Sequence, residues 1–154
     1  MEKAKKIIFF IGILAIFIVP GFLFGRSTDF YNELNKPSFA PPGILFSIVW
    51  SGLYVIQSYY ITNIFFNYKN YDEGDKLLLL LVINGVLNIM YMPVFFVFKS
   101  IFGGFVITLL VLLSLILVIL KSKKINVKEW YLEIPYCLWS IFALILSISL
   151  YMMN

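Results

Sequence analysis

Five long stretches of the sequence carry no charged residue, and they limit the fold more than any other feature. Each is long enough to supply the roughly 20 apolar residues that cross a hydrocarbon core about 30 Å thick. The stretches cover residues 7–25, 37–68, 77–98, 100–120 and 134–154. We therefore predict an all-α integral membrane protein, a single domain over residues 1–154 made of one bundle of transmembrane helices. These helices are expected near residues 7–24, 44–67, 77–98, 101–120 and 134–153.

The composition excludes several classes of function. Hydrophobic residues make up 62% of the 154 residues and charged residues 13%, which is about half the charged share of a soluble domain. An ordinary soluble domain, a disordered chain and a nucleic-acid-binding protein with a basic surface are therefore excluded. The sequence has no histidine and a single cysteine, Cys137. Neither histidine-based acid–base catalysis nor a metal site is expected.

The uncharged stretches also bear on mechanism. Proton-coupled pumps and ion transporters place ionisable groups inside their spans, and the five stretches contain none. The sequence also lacks the GxxxxGK[ST] pattern of a phosphate-binding loop. We therefore expect binding, sensing or passive translocation of an apolar ligand, and neither ion-driven nor ATP-driven transport.

Basic residues are distributed unevenly between the two ends of the predicted bundle. Cytoplasmic loops carry the excess of Lys and Arg, so the side with more of them is expected to be cytoplasmic. This predicts a cytoplasmic N-terminus and a C-terminus outside. Nine basic residues fall on the N-terminal side (Lys3, Lys5, Lys6, Lys69, Lys76, Lys121, Lys123, Lys124 and Lys128) and three on the other (Arg26, Lys36 and Lys99).

The connection over residues 25–43 is long, semi-polar and rich in proline and aromatic residues. Its prolines prevent a continuous helix, and its aromatic residues give it an apolar side. We predict that this extramembrane loop acts as a lid over the mouth of the bundle. The alternative is a stiff spacer with its aromatic rings at the depth of the lipid headgroups. The predicted lid residues are Tyr31, Lys36, Pro37, Phe39, Pro41 and Pro42.

Aromatic and amide side chains recur at helical spacing in three spans. The stripes are Trp50, Tyr54 and Gln57 in the second span, Asn84, Asn88, Tyr91 and Phe95 in the third, and Trp139, Ala143 and Ser147 in the fifth. Because amides are costly against lipid, Asn84 and Asn88 should face the interior. Large aromatic groups with a few polar ones suit a flat, apolar ligand. The alternative is that the asparagines only join helices and the tryptophans only pack.

Four ordered blocks of sequence carry a recognisable pattern. They are Pro20-Gly21-x-x-x-Gly25-Arg26; Tyr31-Asn-Glu-Leu-Asn-Lys-Pro-Ser-Phe-Ala-Pro-Pro42 with Val49-Trp50 and Leu53-Tyr54; Asn84-x-x-x-Asn88-x-x-Tyr91-x-Pro93-x-Phe95-Phe96; and Pro135-Tyr136-Cys-Leu-Trp139-x-x-x-Ala143. Together they resemble the translocator protein family, also called tryptophan-rich sensory proteins or peripheral-type benzodiazepine receptors. The sequence departs from the family pattern at Phe30, Phe39 and Tyr91, where the family usually has Trp.

The resemblance implies a membrane receptor or carrier, with a transport or sensory and stress-regulatory role. Its ligands would be tetrapyrroles such as protoporphyrin IX and synthetic benzodiazepine-site ligands. It also implies a homodimer and no obligatory cofactor, and the lysine-rich chain with short tails favours a member from a bacterial cell membrane. At the mouth, Lys36 or Arg26 would meet a porphyrin carboxylate, or equally would meet solvent or a lipid phosphate. The implied ligand-binding residues are Trp50, Tyr54, Asn84, Asn88, Tyr91, Phe95, Leu110, Trp139, Phe142 and Ala143.

An alternative function implied by the same resemblance is enzymatic. It is the light-dependent oxidative degradation of bound porphyrin. The porphyrin itself would be the photosensitiser, so no acid–base machinery is needed. Trp50 and Trp139 are the residues that would react or transfer electrons.

Overall fold

The computed structural model describes residues 1–24, 28–69 and 73–154, and these residues form helices without a β-strand. Five helices are long and apolar enough to cross a membrane, which confirms the predicted fold class. They are α1 (Glu2–Phe24), α3 (Gly43–Asn67), α4 (Gly74–Met92), α5 (Ile101–Lys124) and α6 (Ile134–Met153). The shorter elements are α2 (Thr28–Glu33), a π-helix (Pro93–Val97) that continues α4, and a 3₁₀ turn (Trp130–Glu133) that leads into α6.

Helix α5 lies at the centre of the packing, since it contacts both α4 and α6, while α1 packs mainly on α3. Buried apolar side chains form three clusters between the helices. One contains Tyr60, Ile64, Leu77, Leu81, Val118 and Val127. The second contains Leu53, Val111, Leu115 and Tyr136. The third contains Tyr31, Phe95, Leu146 and Leu150. The second cluster will be called the middle cluster.

The third membrane span is not one regular helix. The proline that begins the π-helix has no N–H to donate to the preceding turn, so the regular hydrogen-bond pattern of the helix is interrupted there. Short π-helical segments are known at such interruptions of α-helices. Lys99 then adopts a left-handed φ of 49°. Ser100 caps α5, because its side-chain oxygen accepts the Gly103 N–H at 3.0 Å. The helix expected near residues 77–98 is therefore an α-helix followed by a π-helix and a tight turn.

Helix α5 extends past residue 120, where the uncharged stretch ends. Lys121, Lys123 and Lys124 lie in its last turn, where cations interact favourably with the exposed carbonyl groups of a helix. Lys121 also forms an ion pair with Glu73 at the start of α4. A lysine-rich sequence thus lengthens the helix beyond its apolar part.

The start of α1 lies against the end of α3. The rings of Phe9 and Phe65 are stacked with centroids 4.4 Å apart, and the Lys6 ammonium lies 5.6 Å from the centre of the Phe66 ring. The N-terminus and the end of α3 therefore share one end of the bundle. The side of the membrane on which this end lies stays a prediction from the basic residues.

Candidate functional site

The described part of the predicted lid, residues 28–43, has its apolar side against the bundle. Tyr31 is buried and packs in the cluster that contains Phe95. Its hydroxyl donates to the Pro41 carbonyl oxygen at 3.3 Å, and its ring meets the Phe46 ring edge-on at 5.9 Å. Burial raises the pKa of the Tyr31 phenol above its ordinary value, so this group stays neutral at physiological pH. Movement of the loop as a lid stays a prediction.

Lys36 joins three carbonyl groups of the loop through hydrogen bonds. Its ammonium donates to the carbonyl oxygens of Tyr31, Asn32 and Leu34 at 2.9, 2.9 and 3.1 Å. An ammonium has three donors, and all three are used at the C-terminal end of α2. These three hydrogen bonds explain the position of Lys36. Neither a porphyrin carboxylate nor a lipid phosphate, the two contacts expected from the sequence, is needed to explain it. Arg26, the other expected partner, lies outside the described residues.

The prolines of the loop shape its course to α3. The Pro37 carbonyl accepts the Ala40 N–H at 2.9 Å, which closes a turn. Pro42 has an extended backbone and comes directly before α3. Between them, Phe39 is half exposed and meets the Phe142 ring of α6 with centroids 6.3 Å apart. The loop therefore contacts α6 through an aromatic pair.

Asn35 and Asn154 form a second contact between the loop and α6, which we call the asparagine clasp. The Asn35 N–H donates to Asn154 Oδ1, and Asn154 Nδ2 donates to the Asn35 carbonyl oxygen, both at 2.9 Å. Asn154 Nδ2 also donates to the Leu150 carbonyl at 2.9 Å. The asparagine side chain thus pairs with a backbone segment much as a neighbouring strand would.

Trp139 lies at the centre of an aromatic group under the loop. Its ring is 5.8 Å from that of Phe46 and 5.1 Å from that of Phe142. Its indole Nε1 is buried and has no hydrogen-bond partner among the residues that the structure describes. Buried indole N–H groups normally find a partner, and leaving one unsatisfied costs about 1–3 kcal/mol. Among the described residues, the hydroxyl of the adjacent Ser140 is likewise buried without a hydrogen-bond partner.

Trp50 lies one turn further along α3 than Phe46. Its ring is 5.5 Å from Tyr54 and meets the Tyr136 ring edge-on at 5.9 Å. Trp50 and Trp139 both pack against the middle cluster. The structure therefore brings the two predicted tryptophans, which are far apart in sequence, to the same region of the bundle.

The two predicted asparagines form a buried hydrogen-bond network. Asn84 Nδ2 donates to Ser114 Oγ at 2.9 Å and to the Val111 carbonyl at 3.0 Å. The Tyr136 hydroxyl donates to Asn84 Oδ1 at 3.1 Å and accepts from Asn88 Nδ2 at 2.8 Å. This arrangement matches the alternative in which the asparagines join helices, here α4 with α5 and α6.

Tyr54 extends the same network to α3, because its hydroxyl donates to Asn88 Oδ1 at 3.2 Å. Four of the five spanning helices therefore meet through side-chain hydrogen bonds at this level. The Tyr54 ring also stacks on Phe17 of α1, with centroids 5.2 Å apart. The network therefore fixes the position of the Tyr54 ring, on which Trp50 packs. This holds whether or not the amides of Asn84 and Asn88 contact a ligand.

The other predicted ligand-binding residues occupy different positions. Tyr91 stacks on Phe95 with centroids 5.3 Å apart, and Ala143 is half-buried on α6. Leu110, in contrast, is 42% exposed, whereas the adjacent Val111 is 5% exposed. Leu110 therefore lies on the outer side of α5 in this structure, away from the rings around Trp139.

A buried carboxyl group was missed in the sequence. Glu133 is fully buried at the end of the 3₁₀ turn, and its Oε2 accepts Gln57 Nε2 at 2.5 Å. Its Oε1 is buried without a hydrogen-bond partner in the described part of the chain. Glu133 lies one residue before the predicted span of residues 134–153, which itself holds no charged residue, but the 3₁₀ turn places its carboxyl group inside the bundle. One sequence feature could have indicated this contact. Gln57 is an amide in the stripe of the second span, and no partner for it was identified in the sequence.

Comparison with known proteins confirms the family resemblance of the sequence blocks. The chain is 32% identical to "Tryptophan-rich protein TspO" of Bacillus cereus, over 100% of this chain and 99% of that protein. It is 31% identical to "Uncharacterized membrane protein YtaB" of Bacillus subtilis, over 97% and 99%. It is 25% identical to "Protein CrtK" of Rhodobacter capsulatus, over 80% and 78%. A model of the TspO/MBR family matches residues 9–153. A match over nearly the whole length shows that this membrane protein belongs to the TspO/MBR family.

Proposed function

We propose that the protein is a membrane receptor or carrier that binds a tetrapyrrole such as protoporphyrin IX beneath the loop, beside Trp139. The observation that carries this proposal is the indole Nε1 of Trp139, which is buried and has no partner among the described residues. A ligand with an acceptor atom at this point would satisfy the donor. Porphyrins carry carboxylate oxygens and ring nitrogens that can accept a hydrogen bond.

The surroundings of Trp139 favour a flat aromatic ligand. Phe46 and Phe142 present ring faces and edges within 6 Å of the indole, and aromatic groups prefer such offset and edge contacts. Synthetic benzodiazepine-site ligands share the same combination of aromatic rings and acceptor atoms. Membership in the TspO/MBR family supports both ligand classes, since the sequence resemblance implies them.

Binding requires the loop to move in this proposal. The aromatic rings beneath the loop contact one another, and Phe39 of the loop rests on Phe142. A macrocycle would have to separate these two rings before reaching Trp139. Residues 28–43 would therefore act as the lid, and opening of the asparagine clasp would accompany ligand binding.

Three further properties are part of the proposal. The N-terminus would be cytoplasmic and the C-terminus outside, because the basic residues fall mainly at the N-terminal end of the bundle. The protein would lie in a bacterial cell membrane, as its similarity to bacterial relatives suggests. It would act as a homodimer, a property implied by the family resemblance.

The test is a titration of protoporphyrin IX into the purified protein in detergent micelles, followed by the change in porphyrin absorbance. The wild-type protein should bind saturably. Trp139→Phe removes the donor while keeping an aromatic ring and should weaken binding about two- to tenfold, as expected for one neutral hydrogen bond. The matched control is Trp130→Phe, in the 3₁₀ turn before α6, which should bind like wild type. Absence of saturable binding by the wild type, or equal affinities for all three proteins, would refute the proposal.

A second candidate function is light-dependent degradation of the bound porphyrin. It is favoured by the position of Trp50 and Trp139 against the same middle cluster, since one ligand could then contact both indoles. Under illumination, the enzyme would form product at a rate that depends on protein concentration. Both Trp50→Phe and Trp139→Phe should abolish product formation under conditions that saturate binding. Product formation that survives in both variants would refute a role for the two tryptophans, and product formation that does not depend on protein concentration would leave binding as the function.

A further inference from the structure

A groove opens between the first turns of α1 and the last turns of α3, at the end of the bundle opposite the loop. Its volume is about 400 Å³, which lies within the range of small-molecule sites. It is independent of the aromatic group around Trp139. The lining residues are Lys6, Ile7, Phe10, Tyr59, Thr62, Asn63, Phe66 and Asn67.

The polarity of the groove changes along its length. The two helices run in opposite directions, so Lys6 and Asn67 lie near the end of the bundle, while Phe10 and Tyr59 lie deeper in the span. Eight residues of helix separate Asn67 from Tyr59, a rise of about 12 Å. The groove is therefore cationic and polar at its outer end and apolar and aromatic further in. A lipid has the same polarity gradient over the same depth of the membrane.

Aromatic contacts fix the outer end of the groove. The Phe66 ring meets the Phe9 ring edge-on at 5.7 Å, and the Lys6 ammonium lies over the Phe66 ring at 5.6 Å. The contact with Phe66, which lines the groove, therefore helps to fix the position of the Lys6 ammonium. Lys69, over the Phe65 ring at 4.5 Å, adds a second cation at this end.

The charge balance at the outer end favours an anion. Lys6 pairs with Glu2 at 3.2 Å, but the Glu2 side chain is 78% exposed, and an exposed pair of this kind contributes little. Lys3 and Lys5 lie in the same turns of α1. The Glu129 carboxylate accepts the amide of Asn63, which lines the groove, at 3.0 Å. The local excess of lysine over acid remains after both carboxylates are counted.

We propose that this groove is a binding site for one anionic glycerophospholipid. The phosphate group lies at Lys6, and one acyl chain lies along Ile7, Phe10 and Tyr59. The site is a structural lipid site separate from the tetrapyrrole site, so it stands or falls independently of the proposed function. Charge selects the headgroup, and the apolar depth of the groove holds the chain.

The test is native mass spectrometry of the protein extracted from vesicles that contain equal parts of phosphatidylglycerol and phosphatidylcholine. The wild-type protein should retain one phosphatidylglycerol in preference to phosphatidylcholine. Lys6→Gln should lower this preference about fivefold, the effect of one lysine near an anionic lipid. The matched control is Lys124→Gln, which removes the same charge from an exposed position at the same end of the bundle and should change nothing.

Two further variants separate shape and charge. Ile7→Trp fills the groove without changing its charge and should lower retention of both lipids. Glu2→Gln frees Lys6 from its competing carboxylate and should raise the preference for phosphatidylglycerol. Equal retention of the two lipids by the wild type would overturn the proposal. So would equal losses in Lys6→Gln and Lys124→Gln, since the preference would then reflect overall charge rather than this groove.

Discussion

Gln57 and Glu133 form a hydrogen bond inside the bundle that joins α3 to the turn before α6. We expect the pair to be strongly coupled, because each side chain is at least 97% buried and Gln57 Nε2 is the donor to Glu133 Oε2 at 2.5 Å. Gln57→Leu removes this donor and leaves both carboxyl oxygens unsatisfied. Glu133→Leu removes the acceptor and leaves the buried amide unsatisfied. The double substitution replaces the pair by two apolar side chains of similar size.

The expected magnitudes follow from the burial of the pair. Each single substitution strands a buried polar group, at a cost of about 1–3 kcal/mol in the free energy of unfolding. Replacement of both partners by apolar groups of similar shape is nearly neutral. The double variant should therefore be more stable than either single variant. The coupling energy from the double-mutant cycle should be about 2 kcal/mol.

The assay is unfolding of the protein in mixed micelles by a denaturing detergent, followed by tryptophan fluorescence. Glu133→Gln is the matched control, because it keeps the acceptor and the volume while removing the ability to ionise. A buried group without a cationic partner is best accommodated uncharged, and the retained hydrogen bond to Gln57 should keep this variant closer to wild type than Glu133→Leu. Additive single effects, or single variants as stable as wild type, would refute the reasoning.

Two other predictions concern orientation and helix packing. In a Cys137→Ser background, Ser38→Cys should react with an impermeant thiol reagent added outside the cell. Lys123→Cys should react with the same reagent only after permeabilisation. The reverse pattern would overturn the assigned orientation. At Gly104, a Cβ atom would lie 2.6 Å from an aromatic ring of the π-helix, so Gly104→Ala should lower stability by about 1–3 kcal/mol. At Gly21 a Cβ would meet nothing within 4 Å, so Gly21→Ala should cause no loss in the same unfolding assay.

The five spans could be predicted because hydrophobicity over 20 residues is a local property of the chain. The interior position of Asn84 was also predictable, since an amide is costly against lipid wherever it lies in a span. Its hydrogen-bond partners were not predictable, because a ligand and a neighbouring helix satisfy the same burial requirement. In the structure the partners are Ser114 and Tyr136, which are 30 and 52 residues away in sequence.

Glu133 and Lys36 show that counting charges places a residue outside a span but does not predict which groups it contacts. Both were assigned to loops because charge in a sequence usually marks the end of a span. The 3₁₀ turn carries Glu133 into the bundle, where it meets Gln57. Lys36 turns back onto the carbonyl groups of α2. In each case the backbone path decides which group the charge meets, and that path depends on turns with no simple sequence pattern.

The asparagine clasp has a consequence for the order in which the chain reaches its native structure. Asn35 and Asn154 are 119 residues apart in sequence, so the loop is synthesised long before its partner. Contacts between distant residues form late, because a long loop of chain must first be closed. The segment after α1 can therefore complete its structure only once α6 has been inserted beside α5. The loop that lies over the candidate site is thus among the last parts of the protein to be fixed.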